Sequence, residues 1–170
     1  MRRSAWLAAV VLIALGAGIA WWWTQDRTAG AVTVQAYLVT STDTAFGLEP
    51  TPVSVHPTDP ATQVADLLQA LAAADVPGAS HEIPSTVLPL SVALEDGLLT
   101  VDLTQDFVAG GGSASMRGRL EQLRWSLANL PGVDAVRLAV EGEALTVMGG
   151  EGLIVQQPWS PPENARTPNW

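Results

Sequence analysis

Two apolar alternations meet at an Asp-Gly dipeptide in LSVALEDGLLTVDL, Leu90 to Leu103, and few local patterns leave a chain less choice. A type I′ turn needs two residues at positive φ, which Asp-Gly supplies at low cost, so this stretch predicts a β-hairpin turning at Asp96-Gly97. A hairpin alone is not stable in water and must lay one face on other elements. The rest of the chain has to provide them.

It does so on both sides. VTVQAYLVT from Val32 alternates with period two and reads as a strand, and TPVSV from Thr51 reads as a short second one after a loop over 41–50. Pro50 and Pro52 favour an edge position for that second strand. Pro60 opens a helix in the register Val64, Leu67, Leu68, Leu71, with Asp59 as N-cap, and the helix ends before Pro77-Gly78. HEIPSTVLPL, His81 to Leu90, is irregular. After Gly110-Gly111-Gly112, the segment SASMRGRLEQLRWSLANL predicts a second helix capped by Ser113 or Ser115. Its stripe of Met116, Leu120, Leu123, Leu127 and Leu130 is spaced for burial. DAVRLAVEGEALTV is a strand pair around Glu141-Gly142, and GLIVQQP adds a last edge strand. Such an order predicts an α+β fold: two helices on one face of a mixed, mostly antiparallel sheet.

Ahead of this domain lies AWLAAVVLIALGAGIAWWW, residues 5–23, without a charged side chain. About 20 such residues span a bilayer. Arg2 and Arg3 would stay in the cytoplasm, and Trp21, Trp22 and Trp23 would sit at the far interface. The expectation is therefore a transmembrane signal-anchor over 1–23, a linker over 24–31, a domain over 32–157 and a proline-rich, unstructured tail over 158–170. This places the domain outside the cytoplasmic membrane as a single-pass protein. The alternative is a cleaved signal peptide, with Gly18 and Ala20 as the cleavage-site small residues and a secreted or periplasmic domain.

Composition removes several chemistries. The chain has no cysteine and no lysine, all eight basic residues being arginine. Disulfides, thiolate chemistry, P-loop nucleotide binding and Schiff bases are excluded. Net charge is −9, and beyond the apolar run six arginines face seventeen acids, a balance of −11. That field repels phosphate backbones, so nucleic acid is not an expected partner.

No catalytic set emerges. Asp102 and Asp106 lie four residues apart, as a carboxylate pair for acid–base work or cation binding would, yet no third acid or histidine joins them; both also suit turn and cap roles. The glycine run before a helix lacks the lysine and spacing of a phosphate cradle. His81-Glu82 lacks a second histidine at metal-binding spacing. No cofactor, metal or enzymatic activity is expected.

The candidate interaction surface is the back of the second helix. Trp125 lies about 200° around from Leu123, on a face shared with the small residues Ala114, Gly118 and Ala128. A tryptophan on such a face suits contact with another chain. The alternative is that the C-terminal tail, through Trp159, folds back over it.

Taken in order, these motifs resemble the GerMN domain of bacterial spore-germination and envelope proteins. The resemblance rests on VTVQAYLV, Ile83-Pro84, Asp96-Gly97, Val101-Asp102-Leu103-Thr104, the helix ending WSLANL, Pro131-Gly132-Val133 and the closing GGEGLIVQQP. The chain departs from the pattern at Pro77-Gly78, at Ser126, at Glu141 and in lacking an arginine between Pro52 and His56. The resemblance implies a non-enzymatic envelope module, similar in fold to ring-building modules of secretion-like complexes. Its implied role is cell-envelope assembly or cell-wall organisation through contacts with envelope proteins, a second copy or the cell wall. The rival expectation is a ligand-binding or sensing domain, with a small molecule or glycan held between the hairpin and the Gly110–Gly112 loop.

Overall fold

A computed structural model describes residues 30–41, 46–150 and 152–162. The segment expected as membrane anchor, 1–23, and residues 24–29 of the linker expected over 24–31 lie outside the described residues. No helix among the described residues is long and apolar enough to cross a membrane. All elements below belong to the unit that begins at Val32.

Strands β1 (Val32–Ser41) and β2 (Phe46–Val55) pair antiparallel from Val32↔Val55 to Ser41↔Phe46. The second strand thus starts earlier than Thr51 and takes in both prolines. Register explains why it can. The Tyr37 amide donates to Ser126 Oγ at 2.9 Å and so points away from β2, while Tyr37 faces Pro50 and Gln35 faces Pro52. In such antiparallel pairs both backbones turn outward, so neither proline removes a ladder bond. β2 is the sheet edge, as its prolines suggest.

Helix α1 (Pro60–Ala73) begins as the sequence indicates. Asp59 Oδ1 accepts from the Thr62 amide at 3.0 Å, Pro60 takes the first turn, and Val64, Leu67, Leu68 and Leu71 are buried. The chain then forms β3 (Ala79–Ser80), which pairs with β1 only at Val39 and Thr40. Beyond it come β4 (Pro89–Glu95) and β5 (Leu98–Leu103), the expected hairpin. Asp96 and Gly97 have φ of 48° and 80°, the signs a type I′ turn needs.

A 3-10 turn, Gln105–Val108, buries Phe107 and leads to α2 (Ser113–Leu127). The N-cap of α2 is Gly112, not a serine, and Ser115 spends its hydroxyl on Glu82. β6 (Ala135–Val140) runs parallel to β5 from Leu98↔Ala135 to Leu103↔Val140, so α2 is the crossover that a parallel pair requires. β7 (Glu143–Ala144) returns along β6 around Glu141 and Gly142, both at positive φ.

The α+β class holds, with one correction to the layout. The strands form separate sheets, β2-β1-β3 and β4-β5-β6-β7, not one. GLIVQQP is no edge of either: β9 (Leu153–Ile154) pairs with β8 (Val147–Met148) in a small sheet of its own. The division has a local cause. Beyond the two residues of β3, the inner edge of β1 is occupied by α2, whose Ser126 takes the Tyr37 amide that a further strand would have taken. α1 packs on β2 and β4, α2 packs on β1, and the leucines of both helices enter one core with Leu99, Val101, Leu138 and Val140.

Gly97 tests the hairpin. A Cβ there would lie 2.3 Å from Asp134 Oδ2, at a φ that side chains avoid. Gly97→Ala should lower unfolding stability by about 1–3 kcal/mol, read from urea midpoints. Adding Asp134→Ala should return the steric part of that loss and leave the backbone part.

Candidate functional site

Three buried polar side chains on α2, Arg119, Gln122 and Ser126, fall at i, i+3 and i+7 and form one stripe. Arg119 donates from Nε to the Glu82 carbonyl at 2.9 Å, and from Nη1 to the carbonyls of Phe107 at 2.8 Å and Ala109 at 3.0 Å. Gln122 Oε1 accepts from the Glu82 amide at 2.9 Å. Ser126 Oγ accepts from Tyr37 N and donates to the Gln122 carbonyl at 2.7 Å. The Glu82 carboxylate takes the hydroxyls of Ser115, at 2.7 Å, and Ser80, at 3.0 Å. Burial lowers the Arg119 pKa while Glu82 opposes the shift. These groups hold loop backbone; they do not converge on open space.

His81 differs. Because Gln122 Oε1 is committed to Glu82, its amide nitrogen is the atom 3.5 Å from His81 Nδ1. That assigns the imidazole proton to Nε2, which is buried with no hydrogen-bond partner among the described residues. Burial holds the His81 pKa below its ordinary value, partly offset by Glu82. The ring is neutral and lies at the wall of a groove of about 350 Å³ between α1 and the His81–Pro89 segment. Leu68, Gln69 and Ala72 form one side, with Ile83, Val87 and Leu88 on the other, and no charged side chain lines it. At its end Leu88 is 59% and Leu90 50% exposed. The tract HEIPSTVLPL, irregular by sequence, gave no periodic signal for this groove. Only Leu88, between Pro84 and Pro89, marks it in the sequence.

The residues expected on the back of α2 do not make a free face. Trp125 is 5% exposed. Tyr37 stands 5.7 Å from it and Trp159 5.2 Å, edge to ring, with the Arg124 guanidinium 4.7 Å over Trp159. Gly118 is buried, its missing Cβ leaving 3.3 Å to Val39. Ala128 is half-buried against the core, and Ala114 alone is exposed. The physical reason is that β1 is covered on both sides: α2 sends its leucines to the main core and its opposite stripe to Tyr37, Val39 and Leu48. Trp159 closes the second cluster from the segment expected to be unstructured. Its backbone exchanges two 2.8 Å bonds with Val136, and the Gln157 side chain bonds the backbone of Leu138 and Leu145. Residues 163–170 lie outside the described residues.

Other candidates resolve into local roles. Asp102 Oδ1 accepts from Gly142 N at 3.0 Å, and Asp106 stands exposed in the 3-10 turn. His56 Nδ1 meets Asp66 at 2.8 Å. Among the described residues no three acids or histidines gather as a metal site. The Gly110–Gly112 loop does border a hollow of about 180 Å³, but its far wall is Met148, Gly149 and Leu153, not the β4–β5 hairpin.

A family profile described as sporulation and spore germination matches residues 35–146. Among solved structures, the tandem GerMN domains of the sporulation protein GerM from Bacillus subtilis align with a TM-score of 0.60 at 18% identity. That alignment covers 79% of this chain and 46% of the other, so the chain spans about half the length of the tandem protein. The first GerMN domain of the same protein aligns with a TM-score of 0.56 at 14% identity, covering 74% of this chain and 96% of that domain. At these identities the likeness is one of fold. No protein of curated function matches the sequence.

Two outcomes test the geometry. Above about pH 6.5, the ordinary histidine value, His81 is neutral in both folded and unfolded chains. Below it the unfolded imidazole binds a proton that the folded one resists, so stability should fall as pH drops from 7.5 to 5.5. His81→Gln should flatten that part of the profile of urea midpoints. Trp159→Ala, which uncovers Trp125 and removes an aromatic contact, should cost about 1–3 kcal/mol in the same assay.

Proposed function

Since the chain belongs to the sporulation and spore-germination family, we propose that it is a GerMN-like domain tethered outside the cytoplasmic membrane by its N-terminal apolar segment. It works there without catalysis, through contacts with other proteins of the cell envelope. The observation that carries this reading is the uncharged groove flanked by exposed Leu88 and Leu90 on an otherwise acidic chain. Exposed aliphatic side chains beside a concave apolar surface suit a protein partner. The buried polar groups support the same reading, since Arg119, Gln122, Ser126 and Glu82 bond to backbone or to hydroxyls within the domain.

The tether follows from the 19-residue run before the domain and its two leading arginines. Spore formation is named for GerM; for this chain the proposal extends to the shared domain and its envelope setting. A second reading has its own support. A volume of about 350 Å³ falls within the range of small-molecule sites, and His81 Nε2 is a donor without a partner among the described residues.

A photo-crosslinking residue at Leu88 in intact cells separates the two. The expected result is a discrete product containing an identified envelope protein or a second copy, recovered with membranes. Absence of any protein product, together with a rise in the melting temperature of the purified chain on adding muropeptides or sugars, would favour the ligand reading instead.

A further inference from the structure

The two edge strands on which α1 packs are built differently. β2 carries Pro50 and Pro52 at positions whose nitrogens point outward, so that edge offers few donors. β4 is also an edge strand, paired to β5 on one side only, and its protections are confined to its ends: Pro89 with the register shift before Ser91, and Glu95. From Leu90 to Leu94 it contains no charge and no proline. Its inward residues Val92 and Leu94 remain half-exposed, whereas Leu99, Val101 and Leu103 on β5 and Val136, Leu138 and Val140 on β6 are buried. β4 is therefore the place where the sheet is left short of a neighbour.

Its two ends differ in chemistry. Leu88 and Pro89, at its start, belong to the apolar groove. At its finish stand Glu95, Asp96 and Asp134, all exposed, with Asp134 held to the turn by its amide bond to the Gly97 carbonyl at 2.7 Å. Six residue steps separate Pro89 from Glu95, about 20 Å of strand. A chain laid along this edge would meet an apolar recess at one end and the carboxylates of Glu95 and Asp96 at the other, with Asp134 beyond the turn on the β6 side.

We propose that the outer edge of β4 is a strand-addition site for an extended peptide of a partner protein, apolar where it meets the groove and basic where it passes the β4–β5 turn. Main-chain bonds to β4 supply affinity, the groove takes an aliphatic side chain, and the carboxylates set register by pairing with lysine or arginine about six residues away. The inference rests on the protein-contact reading above and names the chemistry of that contact.

The test uses the full 15N-labelled chain and two octapeptides, LVTSTVKK and its reverse KKVTSTVL, because strand direction is open. One of them should shift the amide resonances of Leu90–Glu95 and slow their hydrogen exchange. Exchanging its lysines for glutamates should weaken binding about fivefold, a difference that shrinks at high salt. Leu88→Glu with Leu90→Glu, both exposed and so tolerable to the fold, should weaken it more than about tenfold with the melting temperature unchanged. Equal affinity for the acidic-ended peptide, perturbations elsewhere, or no binding in either direction would overturn the proposal. So would protection of β4 that grows with protein concentration alone, which identifies a second copy as the occupant. Loss of the β4 site while Leu88 still crosslinks to an envelope protein in cells would leave the broader reading standing.

Discussion

The arrangement depends on how α2 is fastened. A helix held only by leucines could slide or rotate by a fraction of a turn at modest cost. Arg119, Gln122 and Ser126 forbid this, because each is matched to a particular backbone group on another segment. Losing one such partner strands a buried donor or acceptor at about 1–3 kcal/mol, a large fraction of a small domain's stability. The stripe fixes β1 through Tyr37, the β3–β4 connection through Glu82, and the 3-10 turn through Phe107 and Ala109.

The groove inherits its shape from that fastening. Glu82 is gripped at its amide, its carbonyl and its carboxylate, so the chain leaving β3 has one path past α1. Ile83 and Val87 then reach into the core, which turns Leu88 outward at the start of β4. The recess between α1 and this segment is thus set by polar contacts on the far side of the connection. His81 sits at the junction, one ring nitrogen turned to Gln122 and the other without a partner among the described residues.

Local signals in the sequence carried most of the elements. Asp96-Gly97, the Asp59-Pro60 cap and the Met116–Leu130 stripe each act within a few residues, and each appears as read. What needed the structure was non-local. Trp125 occupies the outward angle of a helix buried on one face, but the outer side of β1 and Trp159 lie against that angle, so it is enclosed. Beside β1, likewise, it is the Ser126 hydroxyl and not a strand that takes the Tyr37 amide. The groove was invisible because its two walls come from α1 and from a tract with no period of its own. Gln122 and Arg119 read as ordinary polar helix positions, and only their partners 37 and 40 residues away show otherwise.

The prolines of β2 have a consequence for stoichiometry. Where an outward N–H is replaced by a ring carbon, an approaching strand finds carbonyls and no answering donors at those steps. Pairing on that flank loses two successive bonds of its ladder, which disfavours a line of copies joined edge to edge there. In any assembly built by sheet extension, this side of the domain is a disfavoured junction, which biases growth toward the other edges.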